Sequence, residues 1–162
     1  MLSGEPLFIL LIEDDDDHAE LVIRNFQKHR IANKVIRVAD GEEAIDYLFH
    51  KNKYSDVEKY PLPNLILLDL RMPKIDGIEV LKIIKNSEEL KEIPVVILTS
   101  SQCETDIRNA YRNYTNSYIV KPLDFEKFNQ LIKDLGFYWL GWNCNIKCEK
   151  RKNEKRNKGF NY

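Results

Sequence analysis

The chain has few cysteines and no long apolar run, and each shortage excludes a class of protein. Its three cysteines, Cys103, Cys144 and Cys148, are an odd number, without disulfide-framework spacing or a nearby histidine to complete a zinc site. Free thiols are typical of a reducing compartment. The first apolar run, residues 7–12, is too short for a membrane span, and it has no basic flank of the kind a signal peptide carries. We therefore expect a cytoplasmic protein.

The net charge is also small, at −1, but it is unevenly distributed. Residues 143–162 carry seven Lys and Arg and two Glu, which leaves residues 1–142 with a net charge of −6. The sequence therefore predicts one domain over residues 1–142, followed by a basic tail that is mobile or a solvated helix. The tail is too short for an output domain, and it lacks the fold and the aromatic interleaving of a nucleic-acid-binding segment.

Short apolar runs alternate with amphipathic segments along the predicted domain. The runs predict buried strands over residues 8–12, 34–38, 65–69, 95–99 and 117–120. Apolar residues at helical spacing predict helices over residues 17–29, 42–49, 77–87, 104–113 and 125–136, the last ended by Gly136. Strict alternation indicates an α/β fold with a doubly wound, five-stranded parallel sheet. The polar residues 50–64 are interpreted as a surface loop.

The third predicted strand ends abruptly in one carboxylate, Asp69. In an open parallel sheet the carboxyl ends of all strands lie at one edge, where such folds bind their ligands. Glu13 and Asp14 lie at the same edge because they end the first strand before its helix begins. The remaining polar strand ends are Thr99 and Ser100 after the fourth strand and Lys121 after the fifth.

This set of side chains predicts a particular chemistry. Two carboxylates about 5 Å apart repel by roughly 3 kcal/mol at an effective dielectric constant of about 20, so three of them require a cation or a raised pKa. Oxygen-only ligands favour Mg²⁺ over zinc or copper. A metal held by carboxylates, opposite a lysine and a hydroxyl, is suited to handling a phosphoryl group.

Four motifs carry a resemblance to a known family. They are Ile-Glu13-Asp14, Leu-Leu-Asp69-Leu-Arg-Met-Pro73 with Asp76-Gly77, Ile-Leu-Thr99-Ser100, and Tyr118-Ile-Val-Lys121-Pro122. Together they resemble the response-regulator receiver domain of two-component signalling, over about residues 7–143. The resemblance implies a flavodoxin-like strand order, 2-1-3-4-5, in three α/β/α layers. More narrowly, the chain resembles single-domain regulators of cyanobacterial phytochrome histidine kinases.

The resemblance also implies a role for each residue at the sheet edge. Asp69 would be the phosphoacceptor, with Thr99 hydrogen-bonded to the phosphoryl group and Lys121 paired with it. The Mg²⁺ ligands would be Asp14 directly, Glu13 through water, Asp69, and the backbone carbonyl of Arg71. Thr99 and Tyr118 would form the conformational switch. The Lys121–Pro122 peptide bond would be cis.

The function implied is that of a stand-alone response regulator rather than an enzyme. It would accept a phosphoryl group from a sensor histidine kinase, of phytochrome type by the narrower resemblance, and would catalyse its own phosphotransfer and dephosphorylation. It would signal by switching protein contacts in a phosphorelay. Two alternatives are a Mg²⁺-dependent phosphohydrolase of similar topology, which would typically carry its nucleophile after the first strand, and a docking scaffold that works without phosphorylation.

The sequence departs from the family pattern, and extends beyond it, at a few positions. Tyr114-Thr115 stand where relatives generally have Gly-Ala, so we expect a reshaped loop before the fifth strand. Arg71 and Ser101 occupy positions that tune dephosphorylation in the family. The aromatic residues in 137–142 either fold back onto the body or, with helix 4, strand 5 and helix 5, form a homodimer contact.

Overall fold

A computed structural model describes residues 8–29 and 34–142, with the side chains of 140–142 left out, and shows a five-stranded parallel sheet. The strand order is β2-β1-β3-β4-β5, as predicted. The strands are β1 (Phe8–Ile12), β2 (Lys34–Val38), β3 (Leu65–Leu68), β4 (Val95–Thr99) and β5 (Ser117–Val120). The helices are α1 (Asp16–Lys28), α2 (Gly41–Leu48), α3 (Gly77–Asn86), α4 (Glu104–Arg112) and α5 (Phe125–Gly136). The predicted basic tail, residues 143–162, lies outside the described residues.

The sheet is buried on both faces because its central strands are apolar at every position. All four residues of β3 are buried, and alternate ones point to opposite faces. Ile66 and Leu68 pack with α2, α3 and α4, whereas Leu65 and Leu67 pack with α1 and α5. The register pairs Ile12 with Leu68, so the ends of β1 and β3 lie side by side. The fold therefore has three layers, and the predicted site residues that follow β1 and β3 lie at one edge of the middle layer, the sheet.

The predicted surface loop over residues 50–64 is largely exposed, but part of it packs against the core in a way that the sequence did not indicate. The segment includes a short 3₁₀ helix, Asn52–Tyr54, and Tyr54 is buried. The rings of Tyr47 and Tyr60 lie edge-on to it, with centroids 5.0 and 4.9 Å away. Polar composition concealed this packing because tyrosine buries its ring while its hydroxyl finds a partner.

The end of α5 also differs from prediction. Gly136 is the last α-helical residue, but the chain continues in a π-helical turn, Phe137–Trp142. Gly136 has no positive φ, so it is not the left-handed cap that a terminal glycine often supplies. Gly136 is buried, so the small size of the residue is explained by packing and not by a role as a helix cap. None of the helices in the described part of the chain has the length and apolar character that a bilayer crossing needs.

Candidate phosphorylation and metal site

Three acidic side chains meet at the carboxyl edge of the sheet, as the sequence predicts. Glu13 and Asp14 follow β1, and Asp69 follows β3, with its backbone amide donating to the carbonyl of Ile12 at 3.0 Å. One carboxylate oxygen from each acid lies within 4.8 Å of the others. Glu13 and Asp69 are buried, whereas Asp14 is exposed, so the cluster opens to solvent on one side.

Lys121 joins this cluster from the end of β5. Its ammonium donates to Glu13 Oε2 at 2.5 Å and to Asp69 Oδ2 at 3.2 Å, and only 3% of its side chain is exposed. Register brings it there because β4 pairs with β5, and the Lys121 amide donates to the carbonyl of Thr99 at 2.8 Å. A buried ammonium beside two carboxylates reduces their repulsion, but it leaves the site with an excess of negative charge.

Glu13 shows the electrostatic consequence of that crowding. Burial raises its pKa to about 7, and the nearby Lys121 only partly offsets the loss of hydration. Asp69 adds to the increase by like-charge repulsion. A second cation at this edge would favour the ionised form of all three acids.

The loop after β1 is held by its own acids and by Arg37 on β2. Asp15 caps α1, where its side chain accepts a hydrogen bond from the His18 amide at 2.9 Å. Arg37 donates to the carbonyls of Glu13 and Asp14, at 3.0 and 3.2 Å, and pairs with Asp16 at 2.6 Å. These bonds leave the Asp14 carboxylate free to face the cluster, because its backbone, not its side chain, is tied down.

The loop after β3 is fixed by the start of α3. Asp76 caps that helix by accepting from the amides of Ile78 and Glu79. Gly77 follows, and a Cβ there would lie 2.4 Å from the carbonyl oxygen of Asp69. Only glycine allows this close approach, so the Asp76-Gly77 pair brings α3 directly against the strand end that carries Asp69.

Thr99 and Tyr118 lie near each other on the α4 side of the site. Thr99 is fully buried, and its hydroxyl accepts a 3.4 Å hydrogen bond from the Ser101 amide. The Tyr118 hydroxyl donates to the Ser101 carbonyl at 2.9 Å. The predicted switch residues are therefore linked through the backbone of one residue, Ser101. Their role as a switch stays a prediction.

Arg71 and Ser101, the two residues at positions associated with dephosphorylation, share one partner. Arg71 pairs with Asp106 at 2.7 Å, and the Ser101 hydroxyl donates to the same carboxylate oxygen at 2.5 Å. Asp106 lies in the first turn of α4. The loops after β3 and β4 are thus joined to α4 beside a cavity of about 180 Å³. No sequence pattern pointed to Asp106, since an acid in a first helical turn is ordinary.

The donor set fits a hard divalent cation. All three candidate ligands are carboxylates, and oxygen ligands are those that Mg²⁺ prefers. The predicted contribution of the Arg71 carbonyl remains a prediction. Besides Asp106, sequence reasoning missed two residues that the structure brings to the site, His18 and Arg37. The position of His18 in the first turn of α1 was the available signal, because that helix begins directly after the site residues that follow β1.

Two details contradict the expectations drawn from the family. No peptide bond in the described ranges, 8–29 and 34–142, is cis, so the prediction for Lys121–Pro122 is wrong. The trans form is favoured at X–Pro bonds by about 0.5–1 kcal/mol, and Lys121 reaches both acids with it. Tyr114 has a φ of 64°, so it adopts the left-handed conformation that a glycine would supply. The expected reshaping of that loop is thus not needed to accommodate the tyrosine.

Comparison with known proteins identifies one family over most of the chain. The model of the response regulator receiver domain matches residues 9–133. The probable methanogenesis regulatory protein FilR2 of Methanothrix harundinacea is 45% identical over 141 residues, covering 87% of this chain and 88% of the relative. The response regulator Rcp1 of Synechocystis is 38% identical over 138 residues, covering 85% and 92%.

Solved structures give the same result. The phosphorylated cyanobacterial phytochrome response regulator RcpA has a TM-score of 0.82 and 35% identity, over 87% of this chain and 99% of that one. The Mn²⁺-bound form of Rcp1 has the same TM-score, 36% identity and the same coverage. The narrower resemblance to phytochrome regulators is therefore confirmed, while FilR2 shows that similar chains also carry names from another process.

Proposed function

Because this chain belongs to the response regulator receiver family of two-component signalling, we propose that Asp69 is its phosphoacceptor and that Glu13, Asp14 and Asp69 hold Mg²⁺. The observation that carries the proposal is the buried contact of Lys121 with both Glu13 and Asp69. That contact places a fixed positive charge beside the carboxylate that would become an acyl phosphate. The match to the receiver family favours this function over the phosphohydrolase alternative.

The proposed transfer is an in-line substitution at phosphorus. An Asp69 carboxylate oxygen forms a bond to the phosphorus of a kinase phosphohistidine while the N–P bond breaks and its electron pair returns to the imidazole. Lys121 offsets the negative charge of the phosphoryl oxygens as they approach. Mg²⁺ bound by the three acids, with the Arg71 carbonyl as a further ligand and Glu13 acting through water, would supply additional positive charge there.

Phosphorylation would add a charge near −2 beside existing acids. Thr99 is the last residue of the fully buried strand β4, and among the described residues its hydroxyl has one hydrogen bond, a long one from the Ser101 amide. We infer that Thr99 turns toward the phosphoryl group and that Tyr118 changes its contact with Ser101 in response. The chain would thereby catalyse its own phosphorylation and dephosphorylation without being a conventional enzyme.

The proposed donor is a sensor histidine kinase. Relatives named as phytochrome regulators favour a phytochrome-type sensor kinase. FilR2 is named for methanogenesis, so a kinase of another type is the alternative donor, and the two kinds of kinase can be compared in a phosphotransfer assay. Cytoplasmic location stays a prediction. Faster transfer from a phytochrome kinase than from other kinases would support the narrower assignment.

The test uses intact mass measurement after incubation with Mg²⁺ and acetyl phosphate. The unaltered chain should gain one phosphoryl group, whereas Asp69→Asn should gain none because the amide is not a nucleophile for this chemistry. Omission of Mg²⁺ with added chelator should suppress the gain. An equal gain in Asp69→Asn would contradict the assignment of the phosphoacceptor, and a gain in neither protein would contradict the function.

The proposal includes a homodimer formed through α4, β5 and α5. Exposed apolar side chains on this side of the molecule include Tyr111, Leu123, Phe125, Phe137 and Tyr138. Trp139, in contrast, packs against the core. Of the described aromatic side chains in 137–142, one therefore folds back onto the body, and Phe137 and Tyr138 are exposed and available for a dimer contact. Aromatic side chains exposed together are typical of interaction surfaces.

Light scattering after gel filtration tests the dimer. Tyr138→Ser should shift the phosphorylated chain toward monomer. Val57→Ser is a matched control, because Val57 and Tyr138 are both 56% exposed and Val57 lies between α2 and β3, away from the proposed interface. A monomer at every concentration, or an equal effect of both substitutions, would exclude this interface.

A further inference from the structure

His18 lies beside the site lysine, although no motif pointed to it. Its Nδ1 atom is 3.2 Å from Lys121 Nζ. His18 lies in the first turn of α1, 103 residues before the lysine in the sequence. Lys121 Nζ also contacts Glu13 Oε2 and Asp69 Oδ2. The Lys121 ammonium group therefore has three polar neighbours, one imidazole nitrogen and two carboxylate oxygens.

The chemistry of the two side chains fixes the direction of the new hydrogen bond. An ammonium group has three hydrogens and no lone pair, so it can only donate. His18 Nδ1 must then accept, and this requires a neutral imidazole with its hydrogen on Nε2. With this assignment each of the three ammonium hydrogens has one acceptor, which a buried charged group requires.

An aromatic side chain of α5 holds the imidazole ring in position. The ring stacks on Phe128 of α5, with ring centroids 5.9 Å apart and planes 26° apart. The Asp15 carboxylate lies 3.9 Å from Nδ1, which is beyond a hydrogen bond. The charged and titratable groups facing this ring in the structure's contacts are therefore Asp15 and Lys121, the latter connected to Glu13 and Asp69.

We infer that His18 is a positioning residue that holds the Lys121 ammonium toward the phosphoacceptor by accepting its third hydrogen bond. Without that acceptor, the long lysine side chain would have two anchors instead of three, and one buried N–H would lack a partner. The inference rests on the proposed phosphorylation of Asp69. It assigns His18 no contact with the phosphoryl group, and it requires the ring nitrogen rather than the ring itself.

Two substitutions separate the nitrogen from the ring. His18→Phe keeps an aromatic ring to stack on Phe128 but removes the acceptor. His18→Asn loses the ring but places an amide oxygen where Nδ1 lies, since both atoms are bonded to Cγ. His29→Phe, at the other end of α1, is a control for adding a phenylalanine to this helix.

The initial rate of phosphorylation by acetyl phosphate, with saturating Mg²⁺ at pH 8, is the readout, and thermal unfolding of each variant checks folding. We expect His18→Phe to lose about tenfold in rate, less than the hundredfold or more that removal of a charge-stabilising donor costs, because Lys121 itself is still present. His18→Asn should recover most of the rate, and His29→Phe should match the unaltered chain. A slow His18→Asn with a normal His18→Phe would mean that only stacking matters and would overturn the inference, as would normal rates in both. If the unaltered chain is not phosphorylated, the proposed function fails, and this inference fails with it.

Discussion

Two glutamates in this protein, the buried Glu13 and the partly buried Glu43, have opposite pKa shifts, and the difference separates a structural region from a reactive one. Burial raises the pKa of Glu13 to about 7. Burial also acts to raise the pKa of Glu43, but hydrogen bonds from the Ala39 amide, Lys53 and Tyr54 outweigh it and lower the pKa to about 2. Similar side chains in one domain thus have opposite balances between desolvation and hydrogen bonding.

The partners explain the two outcomes. Both Glu43 oxygens accept hydrogen bonds, at 3.0 Å from the Ala39 amide and at 2.6 Å from Tyr54 and Lys53. Glu13 shares its principal partner, Lys121, with a second carboxylate. The region around Glu43 is therefore electrostatically complete, and it anchors the segment between α2 and β3. The site around Glu13 has an excess of negative charge, which a divalent cation would offset.

The largest expected effect comes from removing the shared cation of the reactive region. Lys121→Met should slow phosphorylation by acetyl phosphate by about a hundredfold or more, the range found when one charge-stabilising group is removed from a reaction centre. Lys127→Met, at an exposed lysine of α5, is the control and should leave the rate unchanged. Stopped-flow or quenched mass measurement gives both rates. Similar rates in the two variants would show that the buried contact has no chemical role.

A substitution in the region around Glu43 should change the stability of the protein rather than its rate of phosphorylation. Glu43→Gln should lower the free energy of unfolding by about 3 kcal/mol at pH 7, from the difference between an unfolded pKa of 4.5 and a folded pKa of about 2. Because the folded pKa is the lower one, this stabilisation is complete above about pH 4.5 and disappears as the pH falls through about 2. Urea unfolding at several pH values measures it. A constant difference across that range would contradict the assignment.

A substitution at Gly77 should affect both the free energy of unfolding and the rate of phosphorylation. Gly77→Ala places a methyl group 2.4 Å from the Asp69 carbonyl oxygen and 2.6 Å from Leu70 Cα. We expect a loss of about 2 kcal/mol in the free energy of unfolding, as for overpacking elsewhere, together with slower phosphorylation. Circular dichroism and the acetyl phosphate assay would show whether both change. A variant with normal stability and a normal rate would mean that α3 need not approach the strand so closely.

The smallest expected effect concerns the exposed pair between Arg71 and Asp106. The Arg71 side chain is 69% exposed, so Arg71→Ala should change stability by less than about 0.5 kcal/mol. The lifetime of the phosphorylated chain is the more sensitive readout, since Asp106 also binds Ser101. In a double-mutant cycle with Asp106→Ala, the effects of the two substitutions on that lifetime should not be additive. Additive effects would show that the pair is incidental.

Sequence patterns predicted the sheet and most of the site because both depend on regular spacing. The alternation of apolar strands and amphipathic helices predicted a parallel sheet, whose carboxyl strand ends bring Asp69, Glu13, Asp14 and Lys121 to one edge, while the strand order came from the family resemblance. Contacts that depend on side-chain direction were not predictable in the same way. His18, Arg37 and Asp106 lie on ordinary helix and strand positions, so only the packed structure shows what they touch.

Polar composition was the least informative signal. It suggested a plain loop at residues 50–64, where Tyr54 is buried and bonded to Glu43. It also gave no indication that Tyr114 would accept a left-handed conformation, which bulky residues seldom adopt. In both places the surrounding contacts override the local preference of the residue.

The most direct test of the central claim locates the phosphoryl group chemically. An acyl phosphate on an aspartate is reduced by borohydride to the alcohol, which converts that residue to homoserine. After phosphorylation by acetyl phosphate and Mg²⁺, reduction and peptide sequencing by mass spectrometry should find homoserine at position 69 and unmodified acids at positions 13 and 14. Homoserine at position 14, the longer hydroxy acid 2-amino-5-hydroxypentanoate at position 13, or no reduced residue at all would contradict the assignment of Asp69 as the phosphoacceptor.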